Sequence, residues 1–152
     1  MGTRKRSRDD GHGRLDEGSY HHTCCSQMRE RALPVWIDDD PESELVIYNR
    51  IYRCEHGVWD FALNVRSWHG LASAVVDVLR CCAAHRNYHI HVWPWGDPVK
   101  QHVHPVHPID TLEEMQKCHA HACATFGDEV LEVREAWLTG TLWPRVRELR
   151  RR

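Results

Sequence analysis

Residues 45–65 hold the pattern that most narrows the fold of this chain. Residues 45–53 read Leu-Val-Ile-Tyr-Asn-Arg-Ile-Tyr-Arg. β-branched and aromatic side chains of this kind suit a pleated, half-buried strand. In residues 58–65, Trp59, Phe61, Leu63 and Val65 alternate with Val58, Asp60, Ala62 and Asn64. A period of two with one strongly apolar face predicts a second strand. Cys54-Glu55-His56-Gly57 between them is a turn, in which Gly57 supplies a positive φ without steric penalty. The two strands are therefore expected to run antiparallel.

The segment that follows changes period. Ser67 offers a helix N-cap, and Leu71, Ala74, Val75, Val78, Leu79 and Cys82 recur at spacings of three and four. That spacing predicts a helix ending near Arg86 and Asn87. Residues 88–93 return to period two, with Tyr88, Ile90 and Val92 on one side and His89, His91 and Trp93 on the other. Strand, helix and strand at this length predict a right-handed crossover, the third strand parallel to the second. Residues 94–98 form a turn, and residues 99–108, with two prolines, an extended edge segment. Asp110 and Glu113 predict a capping box opening a helix to about Ala124. Another helix is expected from Asp128 to Gly140, then a tail with Leu142, Val146 and Leu149 on one stripe. The fold class is α+β: a small mixed sheet of β-β-α-β order with a crossover helix, followed by C-terminal helices.

Residues 1–32 hold little to bury and are expected to be a disordered basic arm, leaving 33–152 as a single α+β domain. Within the arm, Arg4, Lys5, Arg6 and Arg8 form a compact cluster of the kind that directs nuclear import. The rest of the composition excludes several classes. There are 20 basic and 22 acidic side chains, a balance that argues against strong nucleic-acid binding through bulk charge. No run of 18 apolar residues predicts a membrane span. The basic start lacks the apolar stretch of a secretory signal, and Arg6 stands where a myristoylation signal needs Ser or Thr. The 7 cysteines are odd in number and include the adjacent pairs Cys24-Cys25 and Cys81-Cys82, which predicts reduced thiols.

Two constellations bear on chemistry. His89-Ile90-His91 puts two imidazoles on one strand face, spaced to share a metal; a nicking endonuclease using such a strand also needs a tyrosine nucleophile on a nearby helix. Here Tyr20, Tyr48, Tyr52 and Tyr88 all fall in the arm or in strands. The run Cys118-His119-Ala120-His121-Ala122-Cys123 resembles a zinc cluster, but on a helix Cys118 and His121 share one face while His119 and Cys123 share another. A single ion would take two ligands from it, the others coming from His102, His104, His107, Cys54 or His56. His89, His91, Cys118 and His121 are thus the candidate metal ligands, and zinc is the one candidate cofactor. No nucleophile elbow, phosphate-binding glycine loop or deaminase signature is present, so no catalytic residue is assigned and the chain is read as non-enzymatic. Trp93 and Trp95, beside a proline-rich turn, are candidate partner-binding residues.

Two stretches resemble adenovirus early-region-four proteins. Leu63-Asn64-Val65-Arg66-Ser67, then Leu71, Ala74-Val75-Val76 and Leu79, is similar to a segment of the third-reading-frame type, Leu-Asp-Val-Arg-Ala followed by Leu, Ala-Ile-Val and Leu at the same spacings. Trp36, seven residues, then Glu44-Leu45-Val46-Ile47, with His56-Gly57 and Ala62-Leu63 beyond, resembles the thirty-four-kilodalton type. Ser73 to Val78 resembles part of the fourth-reading-frame type. The resemblance covers residues 36–92. It implies a viral early regulatory adaptor of the host nucleus and cytoplasm, with host proteins and a second viral early protein as its expected partners. The apolar strand edge adds the expectation of a homo-oligomer. The rival reading is a metal-dependent nucleic-acid nicking enzyme, or a small zinc-binding protein.

Overall fold

The expected hairpin lies at the centre of a larger antiparallel sheet. The computed structural model describes residues 17–23, 28–31, 35–36, 45–142 and 146. Its strands are β1 (Met28–Arg31), β2 (Val35–Trp36), β3 (Val46–Cys54), β4 (Gly57–His69), β5 (Ala74–Cys82), β6 (Asn87–Val92) and β7 (His102–Pro108). They line up as β1-β3-β4-β5-β6-β7, with β2 also paired to β3. Two helices follow, α1 (Leu112–Asp128) and α2 (Val130–Leu138). The α+β class is therefore correct: an antiparallel sheet, then two C-terminal helices.

The crossover helix is not there. Residues 74–82 form β5, Ser67 is buried within β4, and β5 runs antiparallel to both of its neighbours. The strand is concealed in the sequence by a bulge. Val65 pairs with Leu79 and Arg66 with Asp77, so Val78 is an extra residue on β5. A bulge breaks the alternation of faces, and here it makes Val78 and Leu79 consecutive buried residues. Cys81 and Cys82, buried on opposite faces, blur the period again. Apolar positions at three- and four-residue spacing then imitate a helix. The chain needs no crossover because residues 70–73 make a hairpin turn, closed by Ser73 N–H donating to the Gly70 carbonyl, 3.3 Å.

The register assigns the side chains to two faces. Phe61, Leu63 and Val65 of β4 lie beside Ile51 and Ile47 of β3, beside Cys81 and Leu79 of β5, and through these beside Ile90 and Val92 of β6. This face meets the helices. Met115, Cys118 and Ala122 of α1 and Val133, Ala136 and Trp137 of α2 are all buried in the same core. Trp59, expected in that row, is instead the extra residue of a second bulge and stacks on His22 with ring centroids 4.3 Å apart. The α1 capping box exists one residue later than expected, with Thr111 as N-cap and Glu114 as its reciprocal partner.

The folded unit starts earlier than Leu33. Gly18 N–H donates to the Arg86 carbonyl at 2.9 Å, and Tyr20 N–H to the Ile109 carbonyl at 3.0 Å. The Arg86 carbonyl also accepts from Ile109 N–H, 2.8 Å. Gly18 lies so close to the Ile109 backbone that a Cβ has no room. β1 then adds itself to β3. A polar segment held by its backbone gives no apolar periodicity to read. Arg4, Lys5, Arg6 and Arg8 lie outside the described residues.

The strand assignment of residues 74–82 separates two leucines that a helix would have buried together. Leu79 is fully buried, whereas Leu71 sits at the hairpin tip, 84% exposed. Leu79→Ala is expected to destabilise by about 2–5 kcal/mol, and Leu71→Ala by no more than about 0.5 kcal/mol. Denaturant unfolding of both variants checks this; equal losses would contradict the strand.

Candidate metal centre

The face of the sheet opposite the helices carries Tyr48, Arg50 and Tyr52 of β3 with Asn64, Ala62 and Asp60 of β4, and the register extends it to Arg80 and Cys82 on β5 and to His89 and His91 on β6. Cys82 pairs directly with His89, and Arg80 with His91. His89 and His91 are two apart on one strand, so they point the same way. Cys82, His89 and His91 thus converge, with their ligand atoms all within 4.8 Å of one another. Among the described residues this is the one grouping of three or more such side chains found. Cys82 is 4% exposed, His89 2%, and His91 is half-buried.

The hydrogen bonds set the imidazoles up as ligands. His89 Nδ1 lies 2.8 Å from the Asn87 carbonyl oxygen, which can only accept, so Nδ1 carries the proton. Nε2 then holds the lone pair, and the Cys82 thiol donates to it across 3.1 Å. His91 repeats the arrangement, its Nδ1 2.9 Å from Gln101 Oε1. Metal-bound histidines characteristically donate their second nitrogen to an oxygen in this way, which fixes the ring and its tautomer. Around a tetrahedral zinc the sulfur and nitrogen ligands stand about 3.5 Å apart, so side-chain closure of about 1 Å would complete the contacts.

Electrostatics favours the neutral apo state. Burial pushes the Cys82 thiol above its ordinary range, partly offset by the Ala84 backbone N–H and by Arg80. Burial pulls His89 below the ordinary histidine value, against the Asn87 hydrogen bond. Without metal, neutral pH leaves a thiol beside a neutral imidazole.

Half of the expected ligand set is therefore together and half is not. His89 and His91 are joined; Cys118 and His121 are on α1, across the sheet. His121 Nδ1 is 2.9 Å from the hydroxyl of Tyr88, a residue of the helix-facing side. Cys118 is buried there, its thiol pushed up to about 11 mainly by desolvation. On the same helix, Cys123 Sγ lies 3.4 Å from His119 Nε2. His107 faces Glu114 at 3.6 Å and His56 faces Glu55 at 3.5 Å, so neither joins the trio. Cys82 was missed because a helix reading gives it no cross-strand partner. A hairpin reading of residues 74–92, in which Cys82 and His89 flank the turn, would have found it.

Trp93 and Trp95 are built into the fold rather than displayed. The Trp93 carbonyl accepts from Trp137 Nε1 at 2.9 Å, and the Trp95 carbonyl from His69 Nε2 at 2.7 Å. Ala72 N–H donates to His69 Nδ1, which assigns that tautomer. Trp93 is buried, and Trp95 is half-buried against Trp137, ring centroids 4.7 Å apart.

No protein family, curated protein or solved structure matches this chain.

Two measurements probe the centre. Zinc must displace the Cys82 proton, and His89 is already neutral, so zinc affinity should rise with pH by about tenfold per unit between pH 6 and 8. A flat competition titration across that range would exclude the thiol as a ligand. Gln101→Ala removes the oxygen that orients His91 and should weaken zinc binding by about tenfold while leaving the thermal midpoint of the apo protein in place.

Proposed function

We propose that this protein is a small zinc-binding adaptor, non-catalytic, in which Cys82, His89 and His91 hold the ion and lock β5 to β6. The observation that carries the reading is the trio itself, with each imidazole Nδ1 already committed to an oxygen. Thiolate and imidazole are the donors zinc prefers, and thiols kept reduced are available to it. The sheet face around the site supports a binding role. No described helix covers it, and Tyr48, Arg50 and Trp68 are exposed there. The resemblance to adenovirus early-region-four proteins gives the role its setting: a viral early regulatory protein of the host nucleus that binds and redirects host proteins.

The nicking alternative gains the metal ligands but not the nucleophile. Tyr88 belongs to the opposite face, and Tyr48 shares a cross-strand row with His91 only through Asn64 and Arg80. Three strand spacings put that tyrosine about 14 Å away.

Elemental analysis of protein purified under reducing conditions should find one zinc per chain, lost in Cys82→Ser and in the His89→Ala, His91→Ala double variant. No site-specific cleavage of single-stranded DNA is expected from the wild type. Wild-type protein free of metal would overturn the zinc reading. Nicking that disappears in the double variant would replace the adaptor with the enzyme. For the setting, a large fusion carrying the full chain should accumulate in the nucleus, and Arg4, Lys5 and Arg6 changed together to Ala should redistribute it to the cytoplasm.

A further inference from the structure

Three protein ligands leave one position of a tetrahedral ion open. What surrounds that position is legible in the cross-strand rows. One row runs Arg50, Ala62, Cys82, His89 from β3 to β6; the next runs Tyr48, Asn64, Arg80, His91. Arginines therefore flank the trio in both rows. In the first, only the methyl group of Ala62 stands between Arg50 and Cys82 on this face. In the second, Arg80 lies directly beside His91.

Arg80 is held in place. Its guanidinium carbon is 5.1 Å from the centre of the Trp93 ring, and Trp93 stacks on His91 with centroids 5.8 Å apart. Among the described residues its carboxylate neighbour is Asp77, at 3.7 Å. Asp77 is shared: Oδ1 takes Asn64 Nδ2 at 2.8 Å and lies 3.2 Å from Arg66 Nε. A single carboxylate between two arginines leaves a net positive charge. Arg50 is exposed and rests over Tyr52 at 5.8 Å. Among the described residues the acidic group on the near side is Asp60, two residues before Ala62 on β4. Zinc with one thiolate and two neutral imidazoles carries one positive charge of its own, so the ion and the two guanidiniums together outweigh Asp60.

We infer, resting on the zinc reading above, that the fourth ligand of this centre is an oxyanion from outside the chain, a phosphate or a carboxylate, which the ion binds and Arg80 and Arg50 hold. Approach is from the half-buried His91 side. Guanidinium suits the task because its planar fork pairs with two oxygens of a carboxylate or phosphate at once. Ligand exchange at the ion swaps water for the anion and needs no redox partner.

Cobalt(II) in place of zinc makes the coordination visible by its absorption. The full-length cobalt protein is titrated in a non-coordinating buffer with sodium phosphate and, separately, with sodium acetate. At least one should shift the visible bands saturably, and the arm with the lower Kd names the source. Arg50→Ala and Arg80→Gln should each weaken that anion by about tenfold, as the loss of a charge-assisted hydrogen bond predicts, with cobalt affinity kept within about threefold. Arg50 is exposed, so its variant leaves the core intact. Failure to bind cobalt at all would sink the zinc reading. Cobalt bound with bands that neither anion moves would overturn the oxyanion inference alone. Anion binding unchanged in both arginine variants would overturn it equally.

Discussion

One ladder, Leu79 to Cys82 against His89 to Val92, sorts the chemistry of this protein. Because side chains alternate across a strand, its register sends Leu79, Cys81, Ile90 and Val92 to the helices and Arg80, Cys82, His89 and His91 to the other face. A slip of one residue would bury the histidines under α1 and turn the aliphatic row outward. The core and the candidate centre are thus specified together. The bulge at Val78 sets the phase, since strict alternation through that residue would put Asp77 on the same face as Leu79.

The two faces make different use of similar residues. Under the helices, Cys81 and Tyr88 are neighbours whose ionisation burial suppresses, and His121 closes on the Tyr88 hydroxyl. These are groups of a satisfied core. On the other face the thiol meets an imidazole lone pair, the rings are oriented by oxygens, and arginines stand alongside. Cysteine and histidine content alone does not distinguish these settings; cross-strand neighbours do.

Much of this was legible in the sequence wherever one physical signal acted alone. The alternation from Val58 to Val65 and from Tyr88 to Trp93 gave the strands and, apart from Val58 and Trp59 at the bulge, their faces, including the shared direction of His89 and His91. Residues 74–82 were not legible, because a bulge and burial on both sides removed the alternation and left a helix-like spacing. The centre was consequently half legible: the histidines belong to a regular strand, and Cys82 to the disguised one. Cys118 and His121 do share a helix face, but that face points at Tyr88. Residues 17–23 gave no signal because backbone hydrogen bonds, with Gly18 as the close contact, hold them in place.

The Arg86 carbonyl accepts from both Gly18 and Ile109, and so ties together the first described segment, the β5–β6 turn and the end of β7. His85 and Arg86 take left-handed φ values of 61° and 56° to present it, a conformation that costs non-glycine residues about 1 kcal/mol or more each. This junction can form only after the chain has closed the long loop from Gly18 to Arg86, whereas the β3–β4 and β4–β5 hairpins need only local contacts. Loop-closure entropy then favours an order in time: the hairpins lead, and the Arg86 junction, whose partners are far apart in sequence, follows them.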